Sequence, residues 1–558
     1  MPLSTSAFLR GSALLLTVLG CSSGAWAQTA PTWQAAYNMG TGSQYATMIG
    51  VDAAGNTYEV GGFTNTTTIG TTTLTSLGNV DGYLAKYAPD GTVAWVRQLG
   101  SPGNDLAVAL ALDAAGNPYI TGNFSGTISL GNGLTLEDGA STTGKSFVVR
   151  YTPDGTPTWT RQSVPSTRTN GGNDLDLDDQ GHVVVSGIYS SSLSIGSTNI
   201  TYPGPMGTPG SFGTYLARFD AATGELQSLT PSVFYVPAAG TTSATYAAPR
   251  VTVAPTGEMY LLTVFTQPAV VGSTTFTTRG ENDILLVKYD AAGTPQWARQ
   301  LGGPAADYNG EGLVDAAGNL YLAGGFTGEA NFDGKTVTSA GNFDGFLLRY
   351  SPEGSLQWVS TSGGPGSDGW SGLALDEAGY PYLSGNFAET AHLGTSTVTS
   401  AGSRDALVAA YTPQGQVRWT QQAGGTGFDN ARQLGFDANG ILHVLGSFEG
   451  TSAFGTLSLS TGARTTFLAQ LGGTALAVHP SQTTQLSAYP NPAYHVVHLP
   501  GLPTGTSVRF VDALGRLAYQ APISATGQVA VMGLKPGLYT LRATDALGRR
   551  YTSRVQVQ

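Results

Sequence analysis

The chain has 558 residues, of which only 11% are charged, and its formal net charge is −11. Lys and Arg are scattered along it, which excludes the basic surface a nucleic-acid binder needs to displace phosphate counterions. The 78 Gly and 29 Pro would suit a disordered chain, but 41% hydrophobic content at regular spacing points to many short strands joined by turns.

Residues 1–27 read as a secretory signal. Arg10 is the only charge before the apolar run Ala13 to Leu19, and Ala25-Trp26-Ala27 supplies a small-x-small cleavage site before Gln28. The run is too short to span a bilayer. A second reading takes Val18-Leu19-Gly20-Cys21 as similar to a bacterial lipobox, with Cys21 lipidated. Cleavage after Ala27 is favoured because both small positions are filled and Gln28-Thr29-Ala30 opens a soluble mature chain. Cys21 is the sole cysteine, so neither a disulfide nor a thiol nucleophile remains after that cleavage. No later run reaches transmembrane length, and no membrane span is expected.

From Thr32 onward three anchors recur. The first is a Trp strand at Trp33, Trp95, Trp159, Trp297, Trp358 and Trp419, with Ser228 in the equivalent place between Trp159 and Trp297. The second is a D-x-x-G turn followed by Y-x-x-G-x-F, as in Asp113/Gly116/Tyr119/Gly122/Phe124 and Asp376/Gly379/Tyr382/Gly385/Phe387. In the fourth unit Ala254 replaces the Asp, while Gly257, Tyr260 and Phe265 remain. The third is an FLxxY strand, for example Phe346 to Tyr350. Between Asp344 and Phe387 these anchors delimit four strand-length runs, FLLRY, LQWVS, LALD and YLSGNF, with hairpin chemistry in SPEG and DEAG. Four antiparallel strands per unit, seven times over, predict a seven-bladed β-propeller across 28–473. The array begins with an unpartnered Trp strand and ends on an FLAQL strand that lacks one, so the N-terminal strand is expected to complete the last blade and close the ring.

DAAGNTYEVG, DAAGNPYITG and DAAGNLYLAG resemble a bacterial β-propeller repeat. The resemblance covers about residues 30 to 473 and implies a propeller in an extracellular setting, with no particular ligand or reaction. The D-x-x-G and P-D-G turns are expected on one face. The Gly-rich connections after each Trp strand and the long segments after each Y-x-x-G-x-F strand are expected on the other, as variable loops where binding usually sits. The fourth unit departs furthest from the pattern and carries the largest insertions. Tyr202, Phe234, Tyr235 and Tyr246 within them are expected to be exposed rings that stack on a sugar or anchor a protein.

Residues 474–486 read as a Ser/Thr/Gln linker, and 487–558 as a small Ig-like β-sandwich of the runs VVHL, VRFVD, LAYQ, VAVMG, LYTLRAT and SRVQVQ. Several motifs fall there in order: Tyr489-Pro490-Asn491-Pro492, the hairpin Asp512-Ala513-Leu514-Gly515-Arg516, Leu534-Lys535-Pro536-Gly537-Leu538-Tyr539, and a terminal strand Val555 to Gln558. Together they resemble the type IX secretion C-terminal sorting domain of Bacteroidota, apart from Tyr494-His495, where that family more often has a small or acidic residue. The resemblance implies the type IX secretion machinery as partner, removal of this domain, and a secreted or cell-surface destination.

Two sets of aspartates fall on the long-loop face. Asp105, Asp307, Asp368 and Asp429 lie ten residues after a Trp, and Asp81, Asp283, Asp344 and Asp405 each open an FLxxY strand. Such carboxylates could bind Ca²⁺, which takes six to eight oxygen ligands; the plainer expectation is that they fix loop geometry once per unit. Asp174, Asp176, Asp178 and Asp179 lack the spacing and closing Glu of a calcium loop. His182, His392, His443, His479, His495 and His498 form no metal spacing, and no G-x-S-x-G, Walker or H-E-x-x-H pattern occurs. RFDAATGEL at 218–226 resembles a quinoprotein repeat, but one copy in a seven-unit array without cysteine does not make a quinoprotein. The expected function is non-catalytic binding of glycan or protein, or a role in the cell envelope. The alternative is a secreted hydrolase acting on polysaccharide across the long-loop face, whose paired carboxylates would come from different blades.

Overall fold

The computed structural model describes residues 30–137, 144–164, 170–204, 211–236, 248–472, 484–500, 502, 506–511, 517–544 and 550–558. The expected signal segment with Cys21, most of the expected linker, Tyr246 and Gly515 lie outside the described residues. Every regular element among these is a β-strand, and no helix is long and apolar enough to cross a membrane.

The sequence unit becomes a sheet as follows. Asp307–Val314, Leu320–Phe326, Asp344–Tyr350 and Leu356–Gly363 pair antiparallel in that order. The first turn forms because the Asp315 carboxylate accepts bonds from the Ala317 and Asn319 amides, both at 2.9 Å, while Gly318 takes φ +84°. Seven sheets of this pattern occur among the described residues. Their first strands are Thr41–Val51, Leu106–Leu112, Asn170–Leu177, Arg250–Val253, Asp307–Val314, Gly369–Leu375 and Asn430–Phe436. We number the sheets 1 to 7 in that order. Each first strand lies beside that of the next sheet, and the one in sheet 7 lies beside the one in sheet 1. Sheet 7 takes its fourth strand, Thr32–Asn38, from the other end of the array, paired with Thr465–Gly472.

The first strands share an irregularity. In six of them the register slips at one level, at Thr47, Val108, Asn173, Gly310–Glu311, Ser371 and Arg432. The cause faces each slip across the ladder. A Cβ on Gly385, the glycine of Y-x-x-G, would sit 1.9 Å from the Gly369 carbonyl oxygen. At Gly61, Gly122, Gly187, Gly324 and Gly446 the facing carbonyl would be equally too close. The motif glycine therefore admits the backbone of a bulged partner.

The long segments after the second strands are not free loops. They form β-hairpins such as Thr127–Gly131 with Leu134–Glu137, turned at Asn132 and Gly133 with φ +51° and +73°. Four of them pair with the last strand of the preceding sheet: Ala269–Val271, Glu329–Phe332, Thr390–Leu393 and Thr451–Phe454. Alternate apolar residues, Ile128, Leu130 and Leu136, are buried, so the period-2 pattern that makes them strands also clamps them down.

Aromatic pairs fill the space between sheets. Tyr58 meets Trp95, and Tyr260 meets Trp297, with ring centroids 6.0 Å apart and steeply inclined. Trp297 also covers the next sheet's turn, where a Cβ on Gly354 would lie 2.6 Å from its ring. Ser228 falls in sheet 3 and Ala254 in sheet 4, so the two departures that the repeat assigns to one unit belong to different sheets. The unit read from Trp to Trp straddles a sheet boundary.

Residues 484–558 form a second all-β region. Gly537–Thr544 lies between Arg550–Val557 and Ser507–Val511, which is edged by Leu517–Pro522, and Val496–His498 pairs with Gln528–Ala530. Its own core includes Val497, Val508, Phe510, Leu541 and Val555.

Candidate functional site

The two aspartate sets meet. In each case the carboxylates are 24 residues apart in sequence and close enough to repel: Asp81 with Asp105, Asp283 with Asp307, Asp344 with Asp368, and Asp405 with Asp429. All eight are buried. Each accepts from at least one backbone amide, while one oxygen each of Asp283, Asp307 and Asp344 has no hydrogen-bond partner among the described residues. Asp105 accepts from the amide and hydroxyl of Ser101 at 2.6 and 2.7 Å and from the Ser125 amide at 3.0 Å. Asp368 accepts from the Gly364 and Ala388 amides at 2.7 and 2.9 Å, Asp307 from Gly303 at 2.8 Å, and Asp429 from Gly425 at 2.9 Å. The backbone repeats the same tie, with the Asp105 amide donating to the Val80 carbonyl and the Asp429 amide to the Arg404 carbonyl, each at 2.8 Å. Burial pushes the Asp307 carboxyl up to about 7 and the Asp368 carboxyl up to about 6, against the amide bonds that pull them down. Among the described residues no group of three or more His, Cys, Asp or Glu is placed to hold a metal ion.

Of the four aromatic residues expected to be exposed, the three among the described residues are not. Tyr202 and Tyr235 are buried, at 4% and 1%, and Phe234 is half-buried against Tyr202 with centroids 5.9 Å apart. The Tyr202 hydroxyl donates to the Tyr235 carbonyl at 2.8 Å, and Tyr235 stacks on Phe212 at 4.4 Å. Tyr202 and Tyr235 thus pack into the core beside sheet 3, since large rings bury where they can.

Of the residues expected to form a sorting motif, Asn491 lies against the last strand. Asn491 donates to the Arg554 carbonyl at 2.9 Å and accepts from the Gln556 amide at 2.8 Å, between Pro490 and Pro492. Tyr489 stacks on His498 at 5.1 Å, and the Tyr539 hydroxyl donates across the Gly537 turn to the Lys535 carbonyl at 2.8 Å.

The bulged first strands build a site that the sequence reading did not assemble. Arg250 of sheet 4 lies 3.5 Å from Glu311 of sheet 5 and 3.9 Å from Asp174 of sheet 3. Gln433 of sheet 7 donates to Glu311 at 3.3 Å. Asp174 and Asp176 sit in a strand and accept from the Val251 and Val253 amides of sheet 4 at 3.0 and 2.8 Å. Asp178 turns away to Arg218, at 2.6 Å, and His182. Burial raises the Asp174 carboxyl although Arg250 opposes it, and pushes Asp176 up to about 6. Arg432, on the bulge of sheet 7, is exposed and donates to the Ala46 carbonyl at 3.2 Å, beside Tyr45, which is 39% exposed. Polar residues in a period-2 strand mark a solvated face, but which strands share an axis is fixed by closure, beyond the reach of any local pattern.

A second buried acid lies away from the axis. Glu59 stands where Ile120, Leu322, Leu383 and Val444 occupy the other sheets, and it is fully buried. The Tyr83 hydroxyl donates to one of its oxygens, and the other has no partner among the described residues. Burial pushes its carboxyl up to about 7.

A family model described as beta-propeller repeat matches residues 296–325, from the last strand of sheet 4 into the second strand of sheet 5. Regulatory protein FlaEY of Caulobacter vibrioides is 29% identical over 191 residues, 31% of this chain and 19% of its own length. An uncharacterized WD repeat-containing protein of Acanthamoeba polyphaga mimivirus is 21% identical over 409 residues, 66% of this chain and 26% of its own length. The chain thus spans about a fifth to a quarter of the curated relatives it matches. Among solved structures, the quinohemoprotein alcohol dehydrogenase of Comamonas testosteroni matches with a TM-score of 0.35 at 11% identity, over 83% of this chain and 79% of that one. The chain carries a β-propeller repeat and is all-β.

Proposed function

We propose that this chain is an exported surface protein whose seven-bladed β-propeller binds glycan or protein without catalysing a reaction, and whose residues 487–558 are an Ig-like sorting domain for type IX secretion. The blade count is supported by seven sheets whose first strands adjoin end to end. The observation that carries the binding reading is the bulge of the first strands, which brings Glu311 of sheet 5 and Arg432 and Gln433 of sheet 7 together with Arg250 of sheet 4. Bulges re-aim side chains and are frequent next to functional sites. Against catalysis stands the burial of the eight paired aspartates, each held by at least one backbone amide. Export is supported by Ala25-Trp26-Ala27 at one end and Tyr489-Pro490-Asn491-Pro492 at the other.

The test is a glycan and protein array probed with the purified chain, run beside a reducing-sugar release assay. Binding without release is expected. Release that disappears on changing one carboxylate would replace this reading with the hydrolase. For export, mass spectrometry of surface material should find a chain from Gln28 that ends before Tyr489; an intact C-terminus retained in the periplasm would count against it.

A further inference from the structure

In a chain with 25 Lys and Arg against 36 Asp and Glu, three guanidinium groups converge at the mouth of the axis. Arg464, before the third strand of sheet 7, lies over the Phe428 ring at 4.0 Å, and Arg404, before the third strand of sheet 6, lies near the same ring at 5.7 Å. Arg432 lies two residues along its strand from Asn430, whose partner across the ladder, Ser447, receives Arg464, and desolvation together with the charges of Arg464 and Arg250 lowers its pKa. Within 4.0 Å none of Arg404, Arg432 or Arg464 has a carboxylate among the described residues, although Asp368 lies within electrostatic range of Arg404. Cations held together without counterions raise each other's energy, and an arriving anion relieves that cost.

We propose that Arg404, Arg432 and Arg464 form a binding site for the carboxylates of an acidic glycan, a uronate-bearing saccharide. The carboxylate suits Arg because the planar guanidinium bonds both oxygens at once. The rest of the mouth suits a sugar rather than a bare anion. Asn386 and Asn430 hydrogen-bond each other at 3.2 Å beside Arg404, which reaches the Asn386 oxygen at 3.4 Å, and their remaining donors and acceptors match hydroxyls. Ser447 receives Arg464 at 3.1 Å and adds another hydroxyl. Tyr45, next to the carbonyl that receives Arg432, and Tyr308, 48% exposed at the start of the first strand of sheet 5, offer ring faces to the apolar side of a pyranose. The inference rests on the binding reading above and names the ligand class for it.

Calorimetric titration of the full mature chain with an oligogalacturonate tests it, with a neutral maltooligosaccharide of equal length and inorganic phosphate as comparison probes. The uronate is expected to bind, with affinity falling as salt rises, and the neutral sugar to bind at least tenfold more weakly. Arg432→Gln and Arg464→Gln should each weaken uronate binding tenfold or more while the melting temperature holds. Arg299→Gln, at an ion pair with Asp333, should change nothing. Equal affinity for the neutral sugar, phosphate binding as tight as the uronate, or unaltered affinity in both variants would overturn the proposal. A neutral glycan or a protein emerging from the arrays would sink this inference and leave the binding reading standing, whereas sugar release would sink the binding reading itself.

Discussion

Glu59 shows what one residue can do to the pH dependence of the whole chain. Its carboxyl has a pKa near 4.5 in the unfolded chain and about 7 when folded, because burial disfavours the ionised form. Between those values the folded state holds a proton that the unfolded state has lost, so stability is full below about 4.5 and falls as pH climbs to about 7. The loss amounts to about 3 kcal/mol. Glu59→Gln keeps the bond from Tyr83 and cannot ionise, so at pH 8 it should unfold at higher urea than the wild type, and at pH 4.5 the two should coincide. Parallel pH profiles would show that Glu59 is solvated. The paired aspartates lead to a different expectation. With each carboxylate buried and tied to at least one backbone amide, EDTA and millimolar Ca²⁺ should leave the melting temperature where it is, and a calcium-dependent rise of several degrees would show that the loops reorganise around an ion. The sequence offered these eight residues in two sets; their pairing could not be read there, because it arises where one sheet hands the chain to the next.

At the scale of the element, the Y-x-x-G glycine and the first-strand bulge are two halves of one device. Gly385→Ala should cost about 3 kcal/mol, since its Cβ would meet a backbone oxygen rather than a side chain that can swing aside. Gly462→Ala, with open space around it, should stay within about 0.5 kcal/mol in the same urea titration. Similar losses in both would mean that the bulge gives way. Strands and turns were legible because D-x-x-G, P-D-G and the apolar runs are local signals. The hairpins were not, although Asn132-Gly133 and Asp333-Gly334 announce them: each hairpin is only a few residues a side, and four of them gain a partner from the preceding sheet. Tyr202 and Tyr235 misled for the converse reason. Aromatic residues near an insertion look like bait on a loop, yet these two find apolar neighbours at the edge of sheet 3 and bury there.

For the whole molecule, the question is what holds the array together at its ends. Sheet 7 closes on Thr32–Asn38, a strand some 430 residues from its partner in sequence, roughly the separation of Asn38 and Phe467. Loop closure over that distance must be repaid by the contacts the strand makes. Trp33 is buried against Phe454, with centroids 5.3 Å apart at 87°, and its indole donates to the Gln422 carbonyl of sheet 6 at 3.1 Å. The Met39 amide continues the pairing to Thr466 at 3.0 Å. Trp33→Ala should therefore cost about 3–5 kcal/mol. A chain starting at Met39 should lose more, because the edge of Thr465–Gly472 is then bare and free to pair with another molecule. Calorimetry should show a lowered, broadened transition, and light scattering should show association that the full chain lacks. A synthetic peptide spanning residues 30–38 should restore the melting temperature in proportion to its concentration, since it binds only the folded array. An unchanged transition in the truncated chain would mean that the remaining sheets hold their arrangement without closure, and the N-terminal strand would then be a passenger.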